Sequence, residues 1–251
     1  MRKMKKIAFT LIICTIALSG AIAQTALEII EKADAKHRGI SSYGEMSMTI
    51  VRKNWTRTVE MKSWTKGSDQ AMIYITSPVK EKGQVFLKRG KEMWNWMPSI
   101  DRMIKIPPSM MMQGWMGSDF TNDDLVEQSS SVKDYKHTLL GKSKVREVLC
   151  YKIELIPKED APVVWGKIIM WITVDGFDTW AAEYYDEDNE LVNVEKAYDI
   201  KTMGDRTIPT RIEIIPVGKK GEKTILQIID MKFNEKLEDD FFSQQNMKRI
   251  R

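Results

Sequence analysis

The feature that most constrains this chain is a period of two that begins near residue 43 and returns until residue 233. Met46, Met48 and Ile50 alternate with Glu45, Ser47 and Thr49, and Val59 and Met61 alternate with Glu60 and Lys62. Side chains two apart share one face of a strand, so the pattern reads as sheet. Turn sequences break it at short intervals, among them Lys66-Gly67-Ser68-Asp69, Arg89-Gly90, Asp175-Gly176-Phe177-Asp178 and Gly204-Asp205. Short turns join antiparallel neighbours. The spacing predicts about ten or eleven strands, including 92–97, 102–106, 145–156 and 179–185. Lys152 and Glu154 alternate with Ile153 and Leu155, so one face is wet and the other dry.

A sheet of that length with one dry face must curl. Little else is available to cover it. Thr25 and Glu28 make a capping box for a helix carrying Leu27, Ile30 and Ala33, with Gly39 as its stop. Thr121 and Asp124 open a second, short helix that reaches about residue 128. A sheet curled around two short helices leaves a hollow. The expected fold is therefore mainly β (α+β): a curled antiparallel sheet forming a half-open barrel. The N-terminal helix and a short lid or helix segment cover an apolar cavity.

The first residues are read as a targeting segment. Arg2, Lys3, Lys5 and Lys6 precede an apolar run over 7–17, and Ala21-Ile22-Ala23 is an A-x-A site. Residues 1–23 are expected to be a signal peptide cleaved after Ala23, and 24–251 a single domain. Cys14 follows Ile13, where a lipoprotein signal would carry Gly or Ala. Cleavage removes four of the 39 basic residues and none of the 35 acidic ones, which leaves the mature chain balanced. A nucleic-acid partner is not indicated. Cys150 then stands alone, so no internal disulfide is available.

Nothing in the chain has the spacing of catalysis. His37 and His137 belong to no metal-spaced cluster. There is no G-x-S-x-G and no glycine-rich phosphate loop before a helix. Asp119, Asp123, Asp124 and Glu127 lack the spacing of a calcium loop, and acids suit a first helical turn. No catalytic residue, metal or cofactor is expected, and the chain is not read as an enzyme.

Residues 107–120 are the anomaly. Pro107-Pro108 cannot continue a ladder, and a polar loop should follow. The chain supplies Met110, Met111, Met112, Trp115 and Met116 instead, then Phe120. Methionine repacks around ligands of varied shape. Gly114 and Gly117 flank Trp115-Met116 as hinges would. The segment is expected to be a mobile lid, with those six residues meeting a ligand. Met46, Met48, Trp94, Trp96, Ile104 and Ile106 are expected to line the cavity beneath it.

At these residues the sequence resembles the LolA-like family of outer-membrane lipoprotein-sorting proteins, in its broad branch. The resemblance is carried by Trp94 to Pro98, Arg102, Ile104, Ile106 and Met116-Gly117-Ser118-Asp119-Phe120-Thr121 with Asp124-Leu125. It implies a half-open barrel and a periplasmic carrier that moves acyl chains of lipoproteins, or other lipids, toward the outer membrane or an export system. The implied partners are those acyl chains and an inner-membrane lipid-exporting pump or an outer-membrane acceptor. Two other readings compete. One is an envelope lipid-sensing module on the same fold. The other is an outer-membrane β-barrel, which the many strands favour and the capped N-terminal helix disfavours.

Overall fold

A computed structural model describes residues 24–126, 130–159, 161 and 163–251. The expected signal peptide and the expected helix end near residue 128 lie outside the described residues. Among those residues, thirteen strands form one antiparallel sheet. The first six are β1 (Ser41–Arg52), β2 (Trp55–Lys66), β3 (Gln70–Ser77), β4 (Val85–Arg89), β5 (Glu92–Met97) and β6 (Arg102–Ile106). The rest are β7 (Tyr135–Val145), β8 (Val148–Pro157), β9 (Lys167–Thr173), β10 (Thr179–Tyr185), β11 (Leu191–Met203), β12 (Arg206–Pro216) and β13 (Lys223–Phe233). The spatial order is β6-β5-β4-β3-β2-β1-β13-β12-β11-β10-β9-β8-β7.

The chain therefore starts in the middle of the sheet, walks to one edge, crosses over, and walks back from the other edge. The crossover, 107–134, joins the two edge strands. It contains α2 (Asn122–Val126) and α3 (Ser130–Lys133). The sheet curls but does not close, because β6 and β7 are not paired.

The count exceeds the expected ten or eleven, and one boundary was misread. Residues 145–156 are not one strand. Arg146 and Glu147 both adopt positive φ, at 48° and 66°, and make a two-residue hairpin with Val145 opposite Val148. That is the twist a tight hairpin requires, but the residues carry no Gly or Asn to announce it.

The N-terminal helix, α1 (Ala26–Arg38), starts as its capping box dictates. The Glu28 N–H donates to Thr25 Oγ1 at 3.2 Å, and the Thr25 N–H donates to Glu28 Oε2 at 3.0 Å. Its buried stripe is Ala26, Ile29, Ile30 and Ala33; Leu27 points outward. These residues pack on Ile153, Leu155, Ile168 and Ile172 of the C-terminal half of the sheet and on Trp165 in the segment before β9. Fully buried isoleucines such as Ile29 contribute about 1.5–3 kcal/mol each. No helix among the described residues is long and apolar enough to cross a membrane.

Both faces of β3–β5 are covered. The inner face carries Ile73, Ile75, Phe86 and Met93, packed with Met48 and Val59. The outer face carries Met72, Tyr74, Val85, Leu87 and Trp96, packed with Phe242, Met247 and Ile250. Those last residues belong to the C-terminal tail, which includes α4 (Gln244–Met247). Phe242 is fully buried there.

Candidate functional site

The inner face encloses a cavity of about 310 Å³. That is the low end of the usual range for small-ligand sites. Strands β1, β2, β3, β12 and β13 supply an apolar wall that includes Met46, Met48, Met61, Ile73, Ile214 and Leu226. The crossover closes it with Trp115 and Phe120.

The crossover is held down at many points. The Arg52 guanidinium donates to both Asp119 carboxylate oxygens, at 3.0 and 3.1 Å, and to the Gly117 carbonyl at 2.9 Å. The Thr224 hydroxyl donates to Asp119 Oδ2 at 2.7 Å and accepts from the Asp119 N–H at 2.9 Å. The Arg57 guanidinium donates to the Met116 carbonyl, and the Asn122 side-chain amide donates to the Met110 carbonyl. Trp115 is 1% exposed, with the Phe86 ring edge-on at 5.3 Å between centroids.

The segment covers the cavity as expected, and in this structure it sits there as a fastened plug. Gly114 and Gly117 are required by the local backbone: a Cβ on Gly114 would meet the Ser118 carbonyl oxygen at 2.5 Å, and Gly117 has φ +79°. They allow a tight turn that drives Trp115 inward.

Of the twelve residues expected at the site, Met46, Met48, Trp115 and Phe120 line the cavity. Ile106, Met111 and Met116 pack against the core cluster beside it. Three are exposed: Ile104 on edge strand β6, and Met110 and Met112 on the crossover. Trp94 and Trp96 require a correction. They pair with Lys105 and Met103 on the outer face, where Trp96 is buried under the C-terminal tail. The segment Met93-Trp94-Asn95-Trp96-Met97 is nearly apolar on both faces, and a register error of one flips every side chain.

Sequence reasoning missed a polar part of the wall. It is formed by Asp34 and His37 of α1, Asp123 and Asp124 of α2, Tyr184 of β10, and Asn193 and Glu195 of β11. The Tyr184 hydroxyl donates to Glu195 Oε2 at 2.8 Å. The Trp165 indole N–H donates to Asp124 Oδ1 at 2.9 Å, and the Thr121 N–H donates to Asp124 Oδ2 at 2.7 Å. Burial pushes the Glu195 carboxyl up to about 7 and raises Asp124 above the usual carboxylate range. Burial also lowers His37, against the pull of Asp178. Two acids of the 119–127 cluster are engaged within the fold: Asp119 with Arg52, and Asp124 with Trp165.

Comparison with known structures gives the same architecture over most of the chain. An outer membrane lipoprotein-sorting protein domain from Vibrio parahaemolyticus is 21% identical with a TM-score of 0.80, covering 89% of this chain and 98% of that one. A DUF1329 family protein from Desulfovibrio piger is 21% identical with a TM-score of 0.81, covering 88% and 97%. A LolA superfamily protein from Nitrosomonas europaea is 25% identical with a TM-score of 0.77, covering 89% and 100%. No curated protein matches the chain. An unclosed antiparallel sheet curled around one helix and a crossover plug gives this chain a LolA-like fold. More particularly, a family model described as "Uncharacterized protein" matches residues 67–249, and the chain belongs to that family.

Proposed function

We propose that the protein is an exported carrier that shelters acyl chains of lipids or lipoproteins while they cross the periplasm. The supporting observation is the cavity of about 310 Å³ walled by Met46, Met48, Ile214 and Leu226 and stoppered by Trp115 and Phe120. Methionines and aliphatic side chains suit a ligand that offers only dispersion contacts. Exposing an acyl chain to water costs about 0.8 kcal/mol per methylene, so a ~16-carbon chain costs roughly 12 kcal/mol and needs a container. The LolA-like fold supports a binding role over a catalytic one. It also disfavours an outer-membrane barrel, since the unpaired edges of β6 and β7 would leave backbone groups unsatisfied in lipid.

In this reading residues 24–251 act as one carrier domain. Met46, Met48, Trp115 and Phe120 touch the chain, with Ile106, Met111 and Met116 behind them. The cargo passes to or from an inner-membrane lipid-exporting pump or an outer-membrane acceptor. The test is mass spectrometry of lipids released from the purified mature protein, with titration of a fluorescent fatty acid. Stoichiometric lipid and saturable uptake are expected. Protein that purifies empty and takes up no probe would refute the carrier.

A further inference from the structure

The cavity wall is amphipathic, and its polar part is unevenly satisfied. Asp34 accepts two hydrogen bonds from Arg38, at 2.6 and 3.1 Å. Asp119 is held by Arg52 and Thr224. Asp124 has an indole N–H on one oxygen and a backbone N–H on the other. Glu195 differs from these. Its Oε2 accepts from the Tyr184 hydroxyl, its Oε1 has no hydrogen-bond partner among the described residues, and no cation of those residues lies within ion-pair distance. Glu195 sits deep in the molecule, and the surface it keeps faces the cavity. A carboxyl group in such a place is costly unless something donates to it. A cavity built only for hydrocarbon would carry a valine or leucine there.

We infer that Glu195 receives the polar end of the ligand, and that the ligand is an amphiphile whose head group donates hydrogen bonds. An alkylammonium is the strongest form of that chemistry and a fatty carboxylate the weakest. The inference rests on the carrier reading and adds the class of head group. Asp124 reinforces the preference from α2, since it acts on Glu195 as a like charge. On α1, Asp34 and Arg38 cancel each other, and burial holds His37 toward its neutral form. On the crossover, Asp119 is likewise offset by Arg52, and Asp123 adds a further acid to the wall. A ligand carboxylate would enter a wall of its own sign. An ammonium would draw the buried Glu195 into its ionised form and fill the open oxygen with a charge-assisted hydrogen bond.

The test is displacement of the neutral apolar probe N-phenyl-1-naphthylamine from the mature chain by dodecylammonium, dodecanol or dodecanoate at pH 8. A charge-assisted hydrogen bond predicts that dodecylammonium binds at least about tenfold tighter than dodecanoate, with dodecanol between. In Glu195→Gln the ratio should fall to about threefold or less, while dodecanol binding stays within about threefold of wild type. Tyr184→Phe serves as a second variant. It removes the internal donor and should widen the preference for dodecylammonium. Dodecanoate competing as well as dodecylammonium, or a ratio unchanged in Glu195→Gln, would overturn the inference and leave the carrier standing. Failure of the probe and all three amphiphiles to bind would overturn both.

Discussion

Removing the Asp119 carboxylate should unfasten the crossover. In Asp119→Ala the bidentate contact to Arg52 is lost and the Thr224 hydroxyl loses its acceptor. All three groups are shielded: the Arg52 and Asp119 side chains are 15% and 7% exposed, and Thr224 is fully buried. Breaking a buried pair from one side costs about 3–5 kcal/mol. The lower end applies, because Arg52 keeps the Gly117 and Val51 carbonyls and has Glu222 at 3.8 Å. At about 2–4 °C per kcal/mol for a chain of this size, a loss of about 3 kcal/mol lowers the melting temperature by roughly 6–12 °C. Urea unfolding measures the free energy, and hydrogen exchange locates it. The amides of Trp115, Ser118 and Asn122, bonded to the Phe120, Trp115 and Gln113 carbonyls, should lose protection first. The double variant with Arg52→Met should recover part of the loss, since it removes the stranded cation. Stability within about 0.5 kcal/mol of wild type, the ordinary range for surface substitutions, would refute the view that this pair holds the plug.

Three further outcomes follow from the same structure. Trp115→Ala should cost about 3–5 kcal/mol, as for other buried aromatics, whereas Met112→Asp, on an exposed side chain, should stay within about 0.5 kcal/mol; denaturant melts compare them, and equal effects would return the segment to the status of a lid. Glu195 has a folded pKa near 7 against an ordinary 4.5, so the native state holds the extra proton between these values and stability falls as pH rises through that window. Glu195→Gln should therefore match wild type near pH 4 and exceed it at pH 8 by up to about 3 kcal/mol; parallel slopes in melts across that range would contradict the assignment. Protein recovered from the cell envelope should begin at Gln24, read by intact-mass spectrometry, and an intact Met1 would remove the export reading.

What the sequence revealed was what local rules control. The capping box of Thr25 and Glu28, the strands at 92–97, 102–106 and 179–185, and the curled, half-open sheet are all present as expected. The facing of strands was harder to read. Along β11, Val192 and Val194 mark the even positions as the apolar face, yet Asn193, Glu195 and Ala197 line the cavity. Local alternation cannot distinguish a solvated carboxylate from one facing an internal hollow. Trp94 and Trp96 went to the wrong face for a different reason. Their cover is the tail around Phe242, more than 140 positions later, and no periodicity ties the two together. The plug was visible as an anomaly of composition, but its fastening depends on Arg52 and Thr224, which lie in distant strands.

The path of the chain through the sheet also dictates the order of its assembly. Every ladder but one joins strands that are neighbours in sequence. The exception is the central seam, where Ser42 lies opposite Phe233 and Val51 opposite Lys223. Two six- and seven-stranded meanders can each form from short-range contacts, but joining them closes almost the whole chain into a loop, and that closure is the slow, entropically expensive event. Until it happens β1 and β13 are raw edges, open to pairing with other chains. Both carry charge along the seam: Glu45 lies opposite Asp230, Tyr43 opposite Lys232 and Val51 opposite Lys223. Glu45 set against Asp230 weakens this pairing whichever chain supplies the partner strand, at a small cost to the finished sheet. The cavity exists only after the last strand arrives, so a nascent or truncated chain has no container to offer.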